Sequence, residues 1–87
     1  MPQFRLDLRW TPHGLANVAN VPSEKSRIRG RAKAEAEAPD THVTIISITD
    51  RPDIGPIWIV EGEESKVQKL AAKFRGEGNV TVDVSRT

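Results

Sequence analysis

The sequence predicts an α+β domain, a four-stranded antiparallel sheet with two helices on one face. Three observations predict it. The stretch Phe4-Arg5-Leu6-Asp7-Leu8-Arg9-Trp10 alternates apolar and charged residues, the period of a strand with one buried face. Val67, Leu70, Ala71 and Phe74 recur at the i, i+3, i+4, i+7 spacing of a core-facing helix. Val80, Val82 and Val84 alternate with Thr81, Asp83 and Ser85 in a closing strand.

Between these anchors the chain reads in order. Thr11 is placed to cap a short helix with Pro12 at its first position, and Leu15, Val18, Ala19 and Val21 form a thin apolar stripe. Pro22 interrupts, and Ser23 caps a further helical segment running to about Ala38, where Pro39-Asp40 ends it. Only Ile28, Ala32 and Ala36 give this segment an apolar side, so its Ala, Lys, Arg and Glu content carries the helix through propensity. Arg31 and Glu35, and Lys33 and Glu37, are spaced to pair along it.

Val43 to Thr49 is rich in β-branched residues and reads as a strand. Asp50-Arg51-Pro52-Asp53-Ile54-Gly55-Pro56 is dense in turn formers and makes a hairpin-type connection. Ile57-Trp58-Ile59-Val60 is continuously apolar, as expected of an interior strand. Glu63 and Glu64 open the last helix with favourable acids, and Gly76 ends it. The order β-α-β-β-α-β is that of the ferredoxin-like sandwich, with the first and third strands central and the fourth beside the first. Arg5, Asp7, Arg9, Thr81, Asp83 and Ser85 then occupy the uncovered face. With Ile57 and Ile59 set against the helices, Trp58 and Val60 emerge there too, and a tryptophan on an open sheet asks for a cover. The expected interface with a partner subunit is Arg5, Asp7, Arg9, Trp58, Val60 and Asp83, with Arg5-Asp7-Arg9 and Asp83-Arg86 read as cross-strand ion pairs.

Composition narrows the function classes. A chain of 87 residues makes one domain near the lower end of what a single core supports, so self-association is a natural way to gain burial. Thirteen Lys+Arg stand against twelve Asp+Glu, a balance that implies no global attraction to nucleic acid or anionic membrane. The absence of cysteine excludes a disulfide framework, thiolate zinc sites and a cysteine nucleophile. The N-terminus has no basic segment followed by an apolar run, and no stretch approaches the ~20 apolar residues of a membrane span. A cytoplasmic protein without membrane contact is the default expectation.

The Arg9-Trp10-Thr11 exit of the first strand, followed by Gly14-Leu15 and Val18, resembles the start of GYD-domain proteins. The Gly78-Asn79-Val80 entry to the last strand is similar to theirs as well, and the order and spacing of elements match along the chain. These are small bacterial proteins, so the resemblance implies a ferredoxin-like, dimeric α+β-barrel type of fold and leaves the chemistry open. The Gly-Tyr-Asp tripeptide itself falls where this sequence has residues 50–56, in which only Asp53 corresponds, and the chain has no tyrosine.

Candidate chemistry falls on a few residues. Pro2, as an N-terminal secondary amine, would resemble the general base of the tautomerase superfamily, with Arg5 and Arg9 gripping a carboxylate. Met1 blocks that amine while it stays in place. His13 and His42 lack a carboxylate at helical ligand spacing, which speaks against a metal pair. His13 and Asp53 make an acid–base pair, with Arg9 as a ligand-binding group, only where their loops meet. The run Lys25-Arg27-Arg29-Arg31-Lys33 splits over two sides of its helix and is diluted by Glu24, Glu35 and Glu37, the pattern of a solvated face. Stacking of RNA bases on the open sheet has only Trp58 to offer.

The expectation is therefore a self-associating binding or interaction module, a homo-oligomer without cofactor or metal and with an unnamed small-molecule ligand. The rivals are a small enzyme built on Arg9, His13 and Asp53, or on Pro2, and a nucleic-acid binder using Trp58 and the basic helix.

Overall fold

The computed structural model describes residues 2–20, 22–51 and 53–87. Met1 ahead of Pro2, Val21 of the first helical stripe and Pro52 of the turn lie outside the described residues, as do the side chains of Asn20, Pro22, Glu24 and Lys25.

The elements are β1 (Gln3–Trp10), α1 (Pro12–Asn20), α2 (Pro22–Glu37), β2 (Thr44–Thr49), β3 (Ile57–Glu61), α3 (Glu64–Gly76) and β4 (Val80–Arg86). The four strands form one sheet in the order β2-β3-β1-β4, with every neighbouring pair antiparallel. The first and third strands are central and the fourth flanks the first, as the sequence predicts. Three helices replace the expected two, because the chain between β1 and β2 is divided into α1 and α2. The architecture is an α+β domain compatible with a ferredoxin-like type.

Alternation decides which way each strand faces. Phe4, Leu6 and Leu8 of β1, with Val80 and Val82 of β4, are buried in one cluster with Val67, Leu70, Ala71 and Phe74 of α3. Ala32 and Ala36 bring α2 onto the same core. Thr11 caps α1 as its sequence position foretold: Gly14 N donates to Thr11 Oγ1 at 3.0 Å. The Thr11 hydroxyl in turn donates to Gly78 O at 2.7 Å, which ties the exit of β1 to the entry of β4.

One facing is reversed. Trp58 and Val60 are almost completely inaccessible, at 1% and 0%, and they point at the helices rather than at the open face. In an antiparallel pair directly opposed residues share a face, and β1 sets Leu6 against Trp58 and Phe4 against Val60. The cover for Trp58 comes from its own chain: its ring meets Phe74 edge-on, with centroids 5.4 Å apart and planes at 67°. Ile57 and Ile59 take the open face instead. A bulge between Ile45 and Ser47 adds Ile46, which is 49% exposed.

Candidate functional site

The uncovered face is built by strand register. Arg5 lies opposite Ser85 and Ile59, Asp7 opposite Asp83 and Ile57, and Arg9 opposite Thr81. Two carboxylates thus face each other across β1 and β4, an arrangement that costs stability unless cations neutralise it. Asp7 is neutralised by Arg51, a residue of the turn between β2 and β3 whose sequence context of turn formers carries no sign of this role. Arg51 Nη2 donates to Asp7 Oδ1 at 2.5 Å and to Leu8 O at 3.2 Å, while its Nε donates to Gly55 O at 2.8 Å. Arg9 Nε stands 3.6 Å from the same carboxylate oxygen. The Arg51 hydrogen bond, with smaller help from the charges of Arg51, Arg9 and Arg5, holds the Asp7 carboxyl below the usual aspartate range. The expected cross-strand pairing of Arg5, Asp7 and Arg9 with Asp83 and Arg86 is not seen among the described residues; Asp7 pairs instead with Arg51 and, within its own strand, with Arg9. Asp83 makes no ion pair among the described residues, with Arg86 or with any other.

Three of the expected site residues sit around the end of β1 without forming a site. Trp10 N donates to Ile54 O at 2.7 Å on the β3 side, so the turn carrying exposed Asp53 runs beside that edge of β1. His13 lies toward the β4 side, where Asn17 Nδ2 bridges His13 Nε2 at 3.3 Å and Asn79 Oδ1 at 3.2 Å. Among the described residues no hydrogen bond or ion pair joins Arg9, His13 and Asp53. Asp53 has a positive φ of 67°, a conformation aspartate tolerates in turns. Pro2 is half-buried, and its carbonyl accepts from Gly62 N at 3.2 Å. His42 belongs to the opposite end of the sheet, in a hollow shared with Glu61, Glu63 and Lys66. Among the described residues no group of three or more His, Asp or Glu is placed to hold a metal ion.

The helix side of the sheet carries a second feature. A cleft opens between α2 and the end of β1, walled by Trp10, Ile28, Trp58, Phe74, Val80 and Glu77. The cleft measures about 40 Å³. Beside it two carboxylates meet across the α2–α3 seam. Glu77, just past α3, is pushed up to about 7, first by burial and then by the hydrogen bond and charge of Glu35, with Arg31 opposing. Arg31 Nε lies 3.7 Å from Glu35 Oε1 and 3.3 Å from Glu77 Oε1. Glu35 Oε2 and Glu77 Oε1 are both buried without a hydrogen-bond partner. Sequence spacing foretold the Arg31–Glu35 pair within the helix but had no way to place Glu77 beside it.

No protein-family model matches the chain, and no curated protein is similar enough to match it.

Proposed function

We propose that this chain is a small self-associating interaction module of ferredoxin-like, GYD-like type, in which two copies pack their uncovered sheet faces together. The observation that carries this reading is the content of that face. Ile46, Ile57 and Ile59 form an apolar strip on adjacent strands, flanked by Arg5 and Arg9 on one strand and Asp83 on the next. In a two-fold interface each patch meets its own copy, so a surface with an apolar centre and charges of both signs is self-complementary. Asp83, left opposite Asp7 and without an ion pair among the described residues, is offered a cation by Arg5 or Arg9 of the second copy. Trp58 and Val60 take no part in this face, since both lie in the core of their own chain. The same burial removes the one aromatic that a base-stacking nucleic-acid reading needed.

Charge reversal tests the reading. Asp83→Lys is expected to weaken association, and adding Arg5→Glu to the same chain is expected to restore it in part. Association indifferent to both substitutions places any self-contact on another surface.

A further inference from the structure

We propose that the cleft between α2 and the end of β1 binds a small free alkylammonium ion, with aromatic walls around its alkyl part and the Glu35–Glu77 pair facing its charge. The walls come from three elements that meet only in the folded chain: Trp10 ends β1, Trp58 lies on β3 and Phe74 on α3. Aromatic ring faces attract a cation set over them, and the attraction grows where water is excluded. Trp58 and Phe74 are each 1% exposed, so two of the three rings are shut off from solvent, and Trp10 is half-buried. At about 40 Å³ the cleft is far below the roughly 300 Å³ at which pockets for drug-sized ligands begin, so its occupant has only a few heavy atoms. It lies on the helix side of the sheet, opposite the face proposed for self-association, and the two readings stand or fall separately.

The carboxyl pair is short of a cation. Glu77 lines the cleft and meets Glu35 across the α2–α3 seam. Arg31 Nε lies 3.7 Å from Glu35 and 3.3 Å from Glu77, so among the described residues one guanidinium serves two carboxyls. Glu35 Oε2 and Glu77 Oε1 are both buried, and neither accepts a hydrogen bond. An ammonium ion has what the pair lacks, a second positive charge and N–H donors. The neighbouring charged groups do not fill that place. Lys73 turns to Asp40, Arg75 Nη2 donates to Val82 O at 2.8 Å, and Asp50, on another wall of the cleft, is itself engaged. Arg29 on the cleft and Arg31 beside it are exposed, and they repel a basic peptide more than an amine of one charge. The competitor of the amine is a proton, which burial and the nearness of Glu35 keep on Glu77 up to about pH 7.

Titration of the full chain with methylammonium chloride, against sodium chloride of equal ionic strength, tests the site through the NMR signals of the Trp10 and Trp58 indole N–H groups. Binding at pH 8.5 is expected in the millimolar range, as suits a ligand of so few atoms. Methylammonium stays charged between pH 5.5 and pH 8.5, so the change over that interval belongs to the protein. With ionised Glu77 required for binding, the affinity rises about 30-fold across it. Glu77→Gln is expected to weaken binding at pH 8.5 at least about tenfold and to remove the rise, and Glu35→Gln to do the same should the first variant not fold. Trp10→Ala is expected to weaken binding about 2- to 5-fold and to leave the rise in place. Tetramethylammonium, larger and without an N–H donor, is expected to bind more weakly than methylammonium. No binding at pH 8.5, an affinity that survives both Gln variants, or tighter binding of Nα-acetyl-lysine amide than of methylammonium overturns the proposal.

Discussion

Arg51 donates to Asp7 at 2.5 Å across 44 residues of chain, fastening the turn after β2 to the charged face of β1. Both side chains are about four-fifths buried, with 21% and 18% of their surface exposed, so solvent screens the pair only partly. Arg51→Ala is expected to cost about 1.5–3 kcal/mol near neutral pH, the range of a hydrogen bond to a charged group. Asp7 titrates below its unfolded value, so this contribution is present above that value and is lost as pH falls through the lower folded one. Urea unfolding of wild type and variant should therefore show a larger gap at pH 6 than in strong acid. A gap independent of pH means the arginine acts through its backbone contacts to Leu8 and Gly55 alone.

Glycine positions separate close approach from idle flexibility. A Cβ on Gly14 would overlap the Asn79 carbonyl oxygen, and one on Gly55 would overlap that of Leu8. Gly55 also has a φ of 131°, where a side chain is strained whatever the space. Gly14→Ala and Gly55→Ala are each expected to cost at least about 2 kcal/mol. Gly30, exposed within α2, meets nothing within 4 Å, and Gly30→Ala is expected to gain about 0.5–1 kcal/mol from helix propensity. Thermal melts of the three variants check the order.

Trp58 fills the centre of the core against Phe74. Trp58→Ala is expected to cost about 3–5 kcal/mol, as large aromatic truncations in packed interiors do. A loss below about 1 kcal/mol in denaturant titrations is the result for a surface tryptophan and contradicts the facing described above.

That facing marks where sequence reading stopped. β1 and β4 alternate strictly, so their buried faces, and with them the sheet order, were legible. The run Ile57-Trp58-Ile59-Val60 is apolar at every position, and a period of two cannot say which parity goes inward. Register against β1 settles it, and register depends on how the 50–56 turn folds back. Within that turn Arg51 looked like a spacer between turn formers, because its partners Asp7 and Leu8 lie far away in sequence. The division into α1 and α2 is readable from Pro22 in the sequence. Glu35 was legible as a partner of Arg31 one turn away. Its meeting with Glu77 follows from the docking of α2 on α3, which no local pattern encodes.

The Glu77 carboxyl gives the alkaline counterpart of Asp7. Its folded value, about 7, lies above the ordinary 4.5, so its contribution is fully present in acid and is lost as pH rises through 7. Glu77→Gln is expected to stabilise the protein at pH 8 by up to about 3 kcal/mol and to change little at pH 4. Denaturant titrations at the two pH values check it. Equal effects at both mean that Glu77 acts by packing rather than by charge.

The uncovered sheet face is the centre of the functional reading, and its most direct test is the mass of the protein in solution. Light scattering at micromolar concentration is expected to give a dimer, twice the 9.6 kDa of one chain. Ile59→Asp, which puts a charge into the apolar strip without touching the core, is expected to give a folded monomer. A wild-type protein that remains at 9.6 kDa under the same conditions contradicts the account.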